Sequence, residues 1–193
     1  MFLQLDRHGW LRPTPAVRLL PSPNCDTRPA GTTVSLLVVH NISLPPNQFG
    51  GPHVARLFQN RLDYTAHPWF ERLRGLRVSA HFFIRRDGSL VQFVPTCKRA
   101  WHAGASRFGK RERCNDFSLG VELEGTDTLP YTDAQYTTLA KLSRVLRARY
   151  PLRAVWGHEH IAPGRKTDPG PAFNWSRFGR KTGFMRRHLA PQS

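Results

Sequence analysis

The chain has 193 residues, 39% hydrophobic and 22% charged, with 29 basic against 13 acidic side chains and a formal charge of +16. That length suits one domain with a full hydrophobic core, and that composition excludes a disordered polymer. No apolar run nears the ~20 residues of a membrane-spanning helix, and the start, Met1 to His8, lacks the basic-then-apolar layout of a signal peptide.

The first 30 or so residues are rich in proline and polar groups and read as a surface-wrapping extension. Leu36-Leu37-Val38-Val39-His40 is a β-branched run, read as a buried strand that ends at a histidine. A loop with Pro45, Pro46, Gly50, Gly51 and Pro52 follows, then short helices around Val54, Leu57 and Phe58 and around Trp69, Phe70 and Leu73. Val78 to Ile84 and Leu90 to Val94 form a hairpin about the turn dipeptide Asp87-Gly88. Ser118 to Glu124 alternates, with Leu119, Val121 and Leu123 on one face and Gly120, Glu122 and Glu124 on the other. Thr132 and Gln135 make a capping box for a helix that carries Leu139, Leu142, Leu146 and Tyr150 on one stripe and stops before Pro151. Ala154-Val155-Trp156 is a last strand.

It runs into Gly157-His158-Glu159-His160, with Lys166 and Asp168 close behind, framed by enough proline and glycine to read as a loop. The pattern predicts a single α+β domain of mixed α/β type, a central mixed sheet flanked by helices. The extension spans 1–30, the domain 31–180 and a loose basic tail 181–193.

A charge of +16 points to an anionic partner, nucleic acid by default. The competing reading is a solvated arginine-rich surface, because the basic pairs are scattered along the chain. Cys25, Cys97 and Cys114 are odd in number and widely spaced, which argues against a disulfide framework and for a reducing compartment.

Five histidines lie where strands meet loops: His40, His81, His102, His158 and His160. A hydrolytic zinc site needs about three protein ligands and an open position for water. His40, His158 and Asp168 can supply them if neighbouring strands bring them together; His160 is a second nitrogen candidate, and spacing alone does not choose. His81, inside a strand, reads as structural. Glu122 shares a strand face with Glu124. A solvated face is the ordinary reading, but in a cleft burial would raise one carboxyl toward the range of a general base. Lys166 is placed to meet a developing oxyanion or to sit on the surface. The residues alone reach a zinc hydrolase as one reading among these.

Five blocks carry a resemblance: Leu36 to Pro46; Arg77-Val78-Ser79-Ala80-His81 with Ile84 to Gly88; Arg99-Ala100-Trp101-His102-Ala103-Gly104; Gly109 to Ser118 with Gly120 to Asp127; and Gly157 to Pro171. In order and spacing, from about Gly9 to Phe178, they resemble the AmpD-type 1,6-anhydro-N-acetylmuramyl-L-alanine amidases, within the zinc amidase and peptidoglycan-recognition fold. The resemblance implies Zn2+ at His40, His158 and Asp168, Glu122 as catalytic acid/base and Lys166 as oxyanion stabiliser. It implies substrate contacts at Asn41, Arg77, Trp101, Arg113 and Ala162. It also implies a cytoplasmic enzyme that cuts anhydro-muropeptides in peptidoglycan recycling and so affects β-lactamase induction. Family members carry an aspartate where this chain has His160, which opens alternate metal ligation. The joint presence of His40, His158, Asp168, Glu122 and Lys166 speaks against a silent binding module on the same fold. Nucleic-acid binding rests on charge alone, no membrane insertion is expected, and the sequence sets no oligomeric state.

Overall fold

Two seven-residue strands, Leu36–Ile42 and Ser118–Glu124, form the middle of the protein in a computed structural model that describes residues 3–190. In chain order the strands are β1 (Val17–Leu19), β2 (Cys25–Thr27), β3 (Leu36–Ile42), β4 (Phe82–Ile84), β5 (Leu90–Gln92), β6 (Lys98–Ala100), β7 (Arg107–Phe108), β8 (Arg111–Glu112), β9 (Ser118–Glu124) and β10 (Ala154–Gly157). The α-helices are α1 (His53–Phe58), α2 (Asp133–Arg149), α3 (His158–Ile161) and α4 (Trp175–Thr182). Six strands form one sheet in the order β1-β5-β4-β9-β3-β10. β4 and β5 are antiparallel across the Asp87-Gly88 turn, and every other neighbouring pair is parallel. The sheet is mixed, as the sequence pattern predicts.

A mostly parallel sheet must be covered on both faces, and all seven residues of β9 are buried. Leu37, Val39, Leu119, Val121 and Leu123 share one core with Leu139, Leu142 and Leu146 of α2 and Trp175 and Phe178 of α4. On the opposite face, Leu36 and Val38 pack with Ala103, Cys114 and Phe117. Phe83, Val91 and Phe93 pack there with Val54, Leu57 and Phe58 of α1 and with Phe70 and Leu73. The period-2 alternation of β3 and β9 therefore sends His40, Glu122 and Glu124 to the face covered by α1 and loops. α2 begins with the expected capping box: the Thr132 hydroxyl accepts from Gln135 N–H at 3.1 Å, and Gln135 Oε1 accepts from Thr132 N–H at 3.0 Å.

Several expectations change. Val78 to Ala80 lies outside the hairpin strand β4, with Ser79 N–H donating to Trp101 O, while His81 O still accepts from Phe93 N–H at the end of the β4–β5 pairing. Pro68–Leu73 is a 3-10 helix. The N-terminal stretch does more than wrap the surface. Leu3, Leu11 and Val17 enter the main core, β1 extends the sheet, and Arg28 donates to the carbonyls of Asn115, Asp116 and Ser118 at 3.0, 2.8 and 2.9 Å. The region 157–162 is not all loop, since no proline or glycine lies between His158 and Ala162 and one helical turn forms before Pro163 and Gly164 stop it.

The C-terminal segment is not a loose tail as far as residue 190. Phe184 is 4% exposed and Ala190 2% exposed, and Leu189 bridges to Val155 in parallel at the sheet edge. Residues 191–193 lie outside the described residues. Phe184 packs on Phe178 with ring centroids 6.1 Å apart. Phe184→Ala is expected to cost about 3 kcal/mol or more, read as a lowered midpoint in urea unfolding; a loose tail would give no change.

Candidate metal and catalytic centre

β3, β9 and β10 run parallel, and their register sets what meets at their carboxyl ends, the usual ligand-binding edge of such sheets. His40 on β3 lies opposite Glu122 on β9. Gly157 pairs with Val39, so His158, the next residue and the first of α3, comes level with His40. The chain then turns back and returns Asp168 to the same spot, where its carbonyl accepts from Glu159 N–H at 2.9 Å.

Three side-chain atoms converge there: His40 Nδ1, His158 Nδ1 and Asp168 Oδ2, separated by 3.0, 3.0 and 3.1 Å. Among the described residues they are the group able to hold a metal ion. His158 Nε2 lies 3.1 Å from the Ala103 carbonyl, which can only accept, so a hydrogen sits on Nε2, the tautomer in which Nδ1 is free to bind a metal. Burial and the neighbouring His158 lower the His40 pKa to about 4, so the His40 ring is neutral. Burial alone would raise Asp168, but the His158 and His40 rings against it more than reverse that effect, and its carboxyl lies well below the usual range. Electron-rich atoms in such contact repel unless a hydrogen or a metal ion lies between them. Tetrahedral donors at ~2.0–2.1 Å from one ion sit roughly 3.3 Å apart, close to the triangle seen, so the donor set fits a metal.

Glu122 is 8% exposed, and its Oε2 is buried without a hydrogen-bond partner. Burial, and then the charge of Asp168, push its pKa well above the ordinary value, with Lys166 opposing. Glu124 differs: it accepts from Gly50 N–H at 2.6 Å and Arg86 N–H at 3.0 Å and ties loops together.

His40, Glu122, His158, Lys166 and Asp168 line a cleft of about 600 Å3, together with Asn41, Arg77 and Trp101. An apolar wall of Leu44, Leu57, Phe58, Trp69, Leu73 and Leu76 completes it. Arg113 and Ala162 do not line this cleft. They face a second hollow of about 550 Å3 on the far side of Arg165, which borders both. Arg165 is held there by the carbonyls of Ala103 and Ala105, at 2.7 and 2.5 Å. Asn41 spends its amide N–H groups inside the protein, on Asp127 Oδ1 at 2.7 Å and Pro169 O at 3.2 Å, bracing the loop that carries Asp168.

His160 is not in the converging trio. Its Nδ1 accepts from Gly157 N–H at 3.2 Å, and its ring sits between those of Trp156 and Trp175. His81 accepts from Gly120 N–H and donates to Lys98 O, both at 3.0 Å. Sequence reasoning left without a role His102, whose Nδ1 lies 2.9 Å from His40 Nε2, and Arg165. For His102 the signal was available, because it shares a block with Trp101 and lies at a loop entry.

Glu122 ionises in the unfolded chain near its ordinary pKa and in the folded protein only at a higher pH. Between those values ionisation favours unfolding, so stability falls as pH rises through that window. In chelator-treated protein, Glu122→Gln is therefore expected to raise the thermal midpoint at neutral pH and to leave it unchanged in acid. A lower midpoint at neutral pH would show that the carboxylate is not strained by burial.

The family model for N-acetylmuramoyl-L-alanine amidase matches residues 30–171. The 1,6-anhydro-N-acetylmuramyl-L-alanine amidase AmpD of Salmonella typhimurium (strain SL1344) is 60% identical over 172 residues, covering 88% of this chain and 90% of that protein. The crystal structure of a Se-Met AmpD derivative superposes with a TM-score of 0.87 at 57% identity, covering 92% of this chain and 98% of that one. The Escherichia coli amidase AmiD, in complex with the substrate anhydro-N-acetylmuramic acid-L-Ala-D-gamma-Glu-L-Lys, gives a TM-score of 0.57 at 25% identity, covering 92% of this chain and 65% of that one.

Proposed function

Because the chain belongs to the N-acetylmuramoyl-L-alanine amidase family, we propose that it is a zinc enzyme that hydrolyses the amide between 1,6-anhydro-N-acetylmuramic acid and L-alanine of muropeptides. The observation that carries the reading is the convergence of His40 Nδ1, His158 Nδ1 and Asp168 Oδ2 beside a buried, unpartnered Glu122 oxygen. Two neutral imidazoles and one carboxylate suit a hydrolytic zinc with an open position. The substrate assignment is supported by similarity to AmpD and by the muropeptide bound to AmiD.

Zinc held there would act as a Lewis acid, lowering the pKa of water and polarising the scissile carbonyl. Glu122, with its pKa raised by burial, accepts the proton of the attacking water and returns it to the departing alanine nitrogen. Lys166, exposed at the mouth of the same cleft, donates to the oxygen that becomes negative in the tetrahedral state. The apolar wall from Leu44 to Leu76 receives the less polar faces of the substrate, with Arg77 and Trp101 at its edge. Asn41 is assigned to bracing the Asp168 loop, and Arg113 and Ala162 to contacts reached beyond Arg165. The reading includes a cytoplasmic place in peptidoglycan recycling, with damping of any muropeptide signal for β-lactamase induction. The three unpaired cysteines accord with a reducing compartment, and among the described residues no helix is long and apolar enough to cross a membrane.

A chelator is expected to abolish release of the peptide from an anhydro-muropeptide, read by mass, and zinc to restore it; activity that survives metal removal would sink the proposal. Glu122→Ala is expected to keep one zinc per chain and lose nearly all turnover, whereas His158→Ala loses the zinc itself. For Lys166→Ala, kcat should fall by about 10²–10³-fold with zinc retained; an unchanged kcat would leave Lys166 as a surface residue.

A further inference from the structure

We propose that His102 is a positioning residue that holds the His40 ring in its metal-binding tautomer, an inference that rests on the reading of His40 as a zinc ligand. His40 directs Nδ1 into the site and Nε2 at Nδ1 of His102, 2.9 Å away. One hydrogen can lie between those two nitrogens, so the rings do not choose tautomers independently. With the hydrogen on His102 Nδ1, a neutral His40 must carry its own on Nδ1, which blocks the metal position. With His102 Nδ1 bare, it accepts from His40 Nε2–H, and the His40 Nδ1 lone pair faces the site. The productive arrangement puts the single ring N–H hydrogen of His102 on Nε2, where Ser118 Oγ lies 3.2 Å away to accept it.

The fold is built around this ring. A Cβ at Gly120 would lie 2.6, 2.7 and 2.9 Å from His102 Cγ, Nδ1 and Cδ2, so glycine at this point of β9 makes the space that the imidazole fills. The backbone that carries it is pinned because the His102 and Ala103 N–H groups both donate to Asn115 Oδ1, at 3.1 and 2.8 Å. Ala103 then supplies the carbonyl that fixes the His158 tautomer. Two adjacent residues of one loop thus serve as outer partners for both histidines. Both partners are neutral. A carboxylate in the place of His102 would push negative charge onto the site; an imidazole orients His40 and leaves the metal electrophilic.

The test uses His102→Leu, which removes the acceptor, and His102→Asn, whose Oδ1 falls near the Nδ1 position and can still accept. Zinc affinity is read by competition with a chromophoric chelator, and ring tautomers by 15N NMR of the zinc-loaded protein. His102→Leu is expected to weaken zinc binding by about 10–100-fold, and His102→Asn to recover most of that loss. Gly120→Ala, which displaces the ring, should weaken binding in the same direction. The NMR of the unmutated protein should show hydrogens on Nε2 of both His40 and His102. Unchanged affinity in His102→Leu, an Asn variant as weak as the Leu variant, or a hydrogen on His102 Nδ1 would overturn the proposal. If the Leu variant does not fold, the Asn variant and the NMR still decide. A His40→Ala control separates the two readings, because full zinc binding in it would refute ligation by His40 rather than the part played by His102.

Discussion

The convergence of His40 Nδ1, His158 Nδ1 and the Asp168 carboxylate on one point is what the rest of the structure has to hold. No isolated chain would gather three electron-rich atoms within 3.1 Å of one another. Here the contact is imposed by elements that cannot relax separately. β3 and β10 are locked by parallel pairing, and Asp168 is returned by a loop whose neighbours Glu159 and Asn41 hold its backbone on both sides. Ligand positions of this kind are held only where the elements that carry them are rigid. The sheet core supplies that rigidity, with Leu37, Val39, Leu119 and Val121 fully buried beneath the site.

Glu122 extends the same logic. A carboxyl placed mid-strand, opposite His40, is kept from water by the packing that makes β9 a good strand. Its unsatisfied oxygen is a local cost in stability and a gain in basicity, a trade expected at functional positions. The large positive charge has a partly internal explanation as well. Arg28, Arg144, Arg147 and Arg165 all donate to backbone carbonyls, so part of the basic excess serves as scaffold hardware rather than as a surface for polyanions.

Much of this was legible in the residues. The strands through His40 and Trp156, the alternation over Ser118–Glu124, the Asp87-Gly88 turn and the Thr132–Gln135 cap are all local patterns, and local patterns fix element type, although β3 runs on to Ile42 and β10 to Gly157. Which histidine joins His40 was not local. It depends on the register that sets Gly157 beside Val39, and period alone does not encode a pairing between distant strands. His158 and His160 were therefore separated by the family resemblance before geometry separated them. The same limit explains Arg113 and Ala162, where membership of a matching block did not reveal that Arg165 stands between them and the cleft. It explains the C-terminal segment too, because a basic composition hid Phe184 and Leu189, whose partners lie on α4 and β10.

Arg28 gives the site a dependence that no map of ligands would reveal. It precedes the stretch matched by the family model, and its guanidinium staples together the carbonyls of Asn115, Asp116 and Ser118. Asn115 and Ser118 are in turn the anchors of the His102 loop. A protein trimmed for expression at residue 31 would keep every side chain named in the chemistry and still lose the clamp beneath it. The edge of this domain, judged by what supports the site, lies upstream of residue 30, where the match to the family model begins.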